Sequence, residues 1–212
     1  LKSILDLHHI AAEDLEGAIL SSVVPPLNAV ITEAVRKVTG LACKLVGAGM
    51  KTGMNIRMDD PKHIGSDLIV DSVAAKANYP LPIIVIDMGT ATSITALDKN
   101  GDYVGGVIHP GLRVSLNTLS GSTAQLPSID LESPGRALAK NTIEAMQSGI
   151  LYGTAGMLDG ILSRMEKELG SKATIVATGG LARFVTPLCS HPIEFDDLLL
   201  LKGLLILYRK NS

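Results

Sequence analysis

The residues best suited to chemistry sit where an apolar, β-branched run, Ile83–Asp87, meets Asp87-Met88-Gly89-Thr90-Ala91-Thr92. Glycine in a tight turn lets backbone N–H groups approach an anion closely, and the Thr90 and Thr92 hydroxyls add donors. An aspartate at a strand end can hold a cation, or it can fix the turn by accepting backbone N–H bonds. On these six residues alone, a plain hairpin turn and an anion-binding loop both remain open. Thr178-Gly179-Gly180 follows a second apolar strand, expected over 173–177, with a helix opening near Leu181. Two glycines permit close approach of a nucleotide, and a helix N-terminus favours negative charge. A simple strand-to-helix turn is the alternative there.

The elements that must position these residues fall into two groups. In the first, a short helical segment opens the chain, and residues 18–24 read as a buried strand stopped by Pro25-Pro26. Leu27, Val30, Ile31, Ala34, Val35 and Val38 then recur at helical intervals up to Gly40. A strand is expected at 43–47 and a helix at 65–77, ahead of the break at Tyr79-Pro80-Leu81-Pro82. In the second group, strands at 83–87, 92–97 and 103–108 are joined through the turn signal Asn100-Gly101 and read as antiparallel. Helices are expected around 111–119 and 141–168, and an apolar helix near the C-terminus. This order argues a mixed α/β fold with helices on the sheet faces. The division expected is 1–79, 80–197 and a closing helix, 198–212, packed across the seam.

Composition narrows the function classes. With 212 residues, 46% hydrophobic and 19% charged, the chain is globular rather than disordered. A net charge of −2 without a long basic run gives no support for nucleic acid or an anionic membrane surface. Cys43 and Cys189 lack metal-ligand spacing and read as free thiols of a reduced compartment. His8, His9, His109 and His191 form no ligand grouping either. No apolar run reaches the roughly 18–20 residues that span a bilayer and no signal peptide is evident, so a cytoplasmic protein is expected.

Eight segments, in this order, resemble the type III pantothenate kinases: SSVVPPL (21–27), KTGMNI (51–56), DDPKHIGSD (59–67), DMGTATS (87–93), GDYVGGVIHPGL (101–112), TAQLP (123–127), KNTIEAMQSGILYG (140–153) and ATGGLA (177–182). The resemblance implies two RNase-H-like halves of the actin-like ATPase kind, with mixed sheets flanked by helices. It also implies a homodimer with active sites near the subunit interface. The reaction implied is ATP-dependent phosphorylation of pantothenate to 4′-phosphopantothenate, the first step of coenzyme A biosynthesis, with Mg²⁺ and a monovalent cation, K⁺ or NH₄⁺. By position, Asp67 matches the catalytic base, and Gly65, Ser66, Asp67, Leu68 and Thr142 match substrate-binding residues. Gly89, Thr90, Thr92, Gly179 and Gly180 match the ATP side, and Asp87 the metal ligand for the monovalent cation. Read without the resemblance, Asp67 is a carboxylate favoured by a helix N-terminus.

Three departures stand out. The family's N-terminal Asp-x-Gly-Asn-Thr hairpin is not among these residues, so the first half is expected to lack its N-terminal strands in this chain. Its Gly-x-Asp-Arg reads Gly65-Ser66-Asp67-Leu68, and leucine offers no forked cation to a carboxylate. Met58 stands where the family often has tyrosine. Arg57, Lys62 and His63 are the nearby cations that would have to compensate. A kinase with altered substrate and a non-catalytic paralogue with a regulatory or binding role therefore remain as alternatives.

Overall fold

The computed structural model describes residues 1–212, with Lys62 described by its backbone alone. The chain opens with a short helix, Lys2–Leu7 (α1). A parallel pair of strands follows, Ala18–Leu20 (β1) and Cys43–Leu45 (β2), connected by the helix Pro25–Thr39 (α2). The first strand is shorter than expected. Pro25 and Pro26 do not end it but form the first turn of α2, where a missing N–H leaves no hydrogen bond unmade. Gly40, at φ +73°, closes α2 in the left-handed conformation.

The helix Ser66–Asn78 (α3) leads into an antiparallel meander of Ile83–Met88 (β3), Ala91–Leu97 (β4) and Tyr103–Pro110 (β5). Two helices follow, Leu112–Gly121 (α4) and Thr142–Leu169 (α5), and Thr174–Thr178 (β6) then returns parallel to β3. Ala182–Val185 (α6), Glu194–Phe195 (β7) and Leu199–Lys210 (α7) complete the chain. The sheet order is β5-β4-β3-β6-β7. A mixed sheet with helices on its faces is the α/β architecture the strand and helix order predicts.

Strand parity assigns each face its core. Ile84, Ile86 and Met88 point to one side, where they pack with Leu151, Ala155, Leu158 and Leu162 of α5. Ile83 and Val85 point to the other, against Ala74 and Ala75 of α3. Asp87 continues the Ile83–Val85 row, so the apolar α3 face ends in a carboxylate. The closing helix lies on α3: a Cβ on Gly203 would fall 2.1 Å from the Val70 carbonyl oxygen, so only glycine allows this crossing. Leu199 joins the α3-side core of the large sheet, and Leu207 packs with Val46, Val70 and Val73. No helix among the described residues is long and apolar enough to cross a membrane.

Candidate active site

Two glycine contacts build the turn between β3 and β4. Met88 pairs with Thr92, leaving Gly89-Thr90-Ala91 as the connection, and the Gly89 N–H donates to the Ala91 carbonyl at 3.0 Å. Below the turn, the Gly111 N–H donates to the Thr90 carbonyl at 3.0 Å, and a Cβ on Gly111 would sit 2.4 Å from the Gly89 and Thr90 oxygens. From the other side Gly179, at φ +92°, lies against the Met88 backbone, where a Cβ would come within 2.7 Å. The turn is therefore clamped by backbone on both sides, with Gly89 and Thr90 exposed at its tip.

The predicted ATP-side residues separate accordingly. Gly89 and Thr90 are exposed, and a Cβ on Gly180 would meet nothing, so these three border open space. Gly179 serves the packing of β6 on β3. Thr92 departs from its expectation: it pairs with Met88, so parity turns it to the α5 face, where it is fully buried with Oγ1 unpartnered. Its hydroxyl is on the opposite side of the sheet from Asp87. The helix expected near Leu181 also shrinks to the four residues of α6, broken into a 3₁₀ turn at Thr186–Leu188, so little helix dipole stands behind the glycine pair.

Asp87 is half-buried and pairs in register with Ser93 on one side and Thr178 on the other. On the same face of the sheet, α3 opens after its cap residue Gly65 and carries Asp67 in its first turn, where Oδ1 accepts the Leu68 N–H at 2.9 Å. Ser66 is used differently: its hydroxyl lies 2.9 Å from that of Ser21 and donates to the Ser22 carbonyl, tying the start of α3 to the loop after β1. One turn beyond Asp67, on the same helix face, is Asp71, a residue the sequence reading did not single out. It is 2% exposed and its Oδ1 has no hydrogen-bond partner among the described residues. An aspartate four residues from Asp67 inside the apolar run Ile69-Val70-Asp71-Ser72-Val73 was the available signal.

These carboxylates crowd one another. Burial, reinforced by the negative charges of Asp87, Asp67 and Asp196, pushes the Asp71 carboxyl up to about 8. Burial and then Asp67 also raise the Asp87 carboxyl. The Tyr103 hydroxyl is pushed up to about 12 by burial and then by the negative charge of Asp67. Asp196 differs because it has partners: despite burial its carboxyl is lowered, as Lys202 Nζ donates at 2.7 Å, Tyr79 OH at 2.9 Å and the Leu198 N–H at 3.1 Å. Among the described residues no group of three or more His, Cys, Asp or Glu is arranged to hold a metal ion unaided.

Beside Asp67 a cavity of about 190 Å³ opens between the 58–65 loop and β5. Gly65 and Leu68 line it, together with Met58, Ile64, Tyr103, Val107 and Ile108. Of the cations near Leu68, Arg57 is committed to Asp102 and Asp98, and His63 Nδ1 lies 2.7 Å from Asp60 at the cavity rim. The Lys62 side chain lies outside the described residues. Thr142 does not join this group: it is exposed at the start of α5, on the other side of the sheet.

The geometry can therefore bind a hydroxyl-bearing molecule next to Asp67, with a turn able to receive an anion nearby. The model of the type III pantothenate kinase family matches residues 1–164 of the chain. The chain is 41% identical to the type III pantothenate kinase of Moorella thermoacetica over 212 residues, all of this chain and 84% of that one. It is 42% identical to that of Listeria welshimeri over 204 residues, 96% of this chain and 79% of that one. Among solved structures, a conserved Baf family protein from Campylobacter jejuni superposes with a TM-score of 0.62 at 17% identity, covering 98% of this chain and 88% of that one. The ethanolamine utilization protein EutJ from Carboxydothermus hydrogenoformans gives 0.50 at 17% identity, covering 96% and 72%. At such identities these two likenesses concern the fold alone.

Asp71 supplies a pH signature. Unfolded, its carboxyl ionises near the ordinary 3.8; folded, it stays protonated to about 8. Its contribution to stability is complete below pH 4, falls as pH rises towards 8, and is level above that. Asp71→Asn removes this fall. Urea unfolding is expected to show the variant more stable than the parent by about 2 kcal/mol or more at pH 8.5, with a clearly smaller gain at pH 4.5. An equal difference at both pH values would contradict the assignment.

Proposed function

The chain belongs to the type III pantothenate kinase family, and on that premise we propose that it transfers the γ-phosphoryl group of ATP to pantothenate. The products are 4′-phosphopantothenate and ADP, the first step of coenzyme A biosynthesis. The observation that carries the reading is Asp67, placed at the start of α3 with a cavity on one side and Asp87 across from it. In this role Asp67 accepts the proton of the pantothenate hydroxyl while that oxygen bonds to the γ-phosphorus and the β–γ bridging P–O bond breaks. Phosphoryl transfer asks the protein mainly for position and charge neutralisation. The exposed turn at Gly89 and Thr90, with Gly180, forms the ATP side.

The oxygen-rich, negatively stressed layer suits hard cations. Asp87, raised by burial and by Asp67, lacks a basic partner among the described residues, and a bound cation would relieve that stress. Asp87 is the residue we assign to K⁺ or NH₄⁺, and ATP would bring Mg²⁺ with its own phosphates and water, since no group of three or more His, Cys, Asp or Glu is arranged to hold it among the described residues. When bound, these cations neutralise charge on the phosphates. The setting we assign to the reaction is the cytoplasm.

We also assign a homodimer. Thr142, Ala145, Gly149, Gly153, Gly156 and Gly160 recur along one side of α5, opposite the buried Leu151, Ala155, Leu158 and Leu162. Glycine within a helix costs about 1 kcal/mol relative to alanine, and a Cβ on Gly149, Gly153 or Gly156 would meet nothing within 4 Å. Such a stripe suits close approach of another helix, and Thr142 at its end would then serve the active site of the partner copy.

Two outcomes test these assignments. Asp67→Asn is expected to lower kcat for pantothenate-dependent ADP release by about 10²- to 10⁴-fold without lowering the melting temperature; retained turnover would remove Asp67 from the role of base. Gly153→Leu, at an exposed position with room for the side chain, is expected to turn a dimer into a folded monomer in analytical ultracentrifugation. An unchanged dimer would place the interface elsewhere.

A further inference from the structure

Just before the cavity between the 58–65 loop and β5, the chain runs along the start of β5 as a short added strand. Ile56 bridges Tyr103 in parallel: the Tyr103 N–H donates to the Asn55 carbonyl at 2.9 Å, and the Arg57 N–H donates to the Tyr103 carbonyl at 2.8 Å. Strand parity sends Ile56 into the α3-side core and turns Asn55 and Arg57 together to the other side. Both reach one carboxylate. Asn55 Nδ2 donates to Asp102 Oδ1 at 2.9 Å, and Arg57 Nη2 lies 2.5 Å from Asp102 Oδ2. Asp102 is 4% exposed, so its charge depends on these partners, whereas the Arg57 side chain is 58% exposed. Asp102 is itself fixed in the turn between β4 and β5. Its N–H donates to Asp98 Oδ1 at 3.0 Å, and its carbonyl accepts the Asp98 N–H at 3.0 Å.

We propose that Asp102 is a positioning residue for the phosphoryl acceptor, acting through Asn55 and Arg57 to hold the cavity wall that starts at Met58. The inference rests on the assignment of that cavity to pantothenate. Met58 follows Arg57 directly and lines the cavity, as does Tyr103, whose backbone is the other half of the bridge. The far end of the loop, at Ile64 and Gly65, is held separately, because Ser66 is bonded to the residues after β1. Between these two anchors the regular structure of the loop is the 3₁₀ turn Pro61–His63. The near anchor therefore sets how far the wall stands from β5. Asp67 rides on α3 and is placed independently of it, so the Asp102–Arg57 pair governs acceptor binding more than turnover. In this arrangement Arg57 is a strut and not a ligand of the substrate.

The test compares the full-length parent with Asp102→Asn, Arg57→Gln and the double variant, by ADP release with ATP, Mg²⁺ and K⁺. Asp102→Asn is expected to raise the KM for pantothenate at least about fivefold, with kcat and the KM for ATP within about threefold of the parent. Both residues act through one contact, so adding Arg57→Gln to Asp102→Asn is expected to change that KM further by less than about threefold. Asp102→Asn leaves no buried charge behind, and Arg57 keeps its water. This variant and the double variant therefore carry the test even where Arg57→Gln alone fails to fold. A smaller rise in the pantothenate KM, or a kcat or ATP KM that moves as much, overturns the inference while leaving the kinase assignment intact. A larger further rise in the double variant also overturns it, because Arg57 is then a direct contact. If the parent phosphorylates no pantothenate, the kinase assignment fails and calorimetry with pantothenate decides. Binding that Asp102→Asn weakens at least about fivefold supports the inference, and a smaller loss or undetected binding overturns it.

Discussion

Carboxylates repel one another, and desolvation makes a buried one harder to ionise; Asp71 and Asp87 meet both conditions beside Asp67, where α3 packs over the end of β3. A fold concerned only with stability would place leucines at Asp71 and Asp87, because a carboxyl raised by burial lowers stability as pH rises. Nearby, Asp196 shows how this protein treats an acid it needs for structure alone: a lysine, a tyrosine and a backbone N–H satisfy it. In the layer formed by Asp67, Asp71 and Asp87, the buried Asp71 Oδ1 has no hydrogen-bond partner among the described residues. That layer is accordingly the part of the molecule that gains most from something outside, a cation and a hydroxyl.

The remaining structure serves to hold that layer in place. Two close backbone contacts, Gly111 beneath the turn and Gly179 beside Met88, fix where β3 ends and hence where Asp87 projects. The crossing of α7 over α3 at Gly203 fixes the helix that carries Asp67 and Asp71. Ser66, bonded to the loop after β1, sets where α3 begins. None of these groups needs to touch a substrate. Each removes a degree of freedom from the carboxylates that would, which is the form catalytic positioning takes when the chemistry is largely electrostatic.

Much of this was readable from residue order. β-branched runs and turn signals located the meander and the strand after α5, because period-two burial leaves a strong trace. The segments around Asp67 and Asp87 pointed to the two carboxylates. What the sequence concealed depends on tertiary parity and approach. Thr92 looked equivalent to Thr90, yet the register Met88–Thr92 turns it into the α5-side core. Gly179 looked like a nucleotide-facing glycine, but its missing side chain makes room for β3. Pro25 and Pro26 looked like strand breakers and instead begin a helix, a difference set by the backbone on their N-terminal side. Asp71 was passed over because helical spacing alone does not say whether an isolated aspartate faces solvent or another acid.

That Asp87 and Asp67 share one negative layer, which a cation relieves, is the condition on which the proposed chemistry depends. It is tested most directly by the carboxyl ¹³C titration of Asp87, recorded with ATP and Mg²⁺ in K⁺ and again with K⁺ replaced by a large organic cation. The account predicts that K⁺ moves the Asp87 midpoint down, towards the ordinary carboxylate range, and that Asp67→Asn moves it in the same direction without K⁺. A midpoint that responds to neither would contradict it.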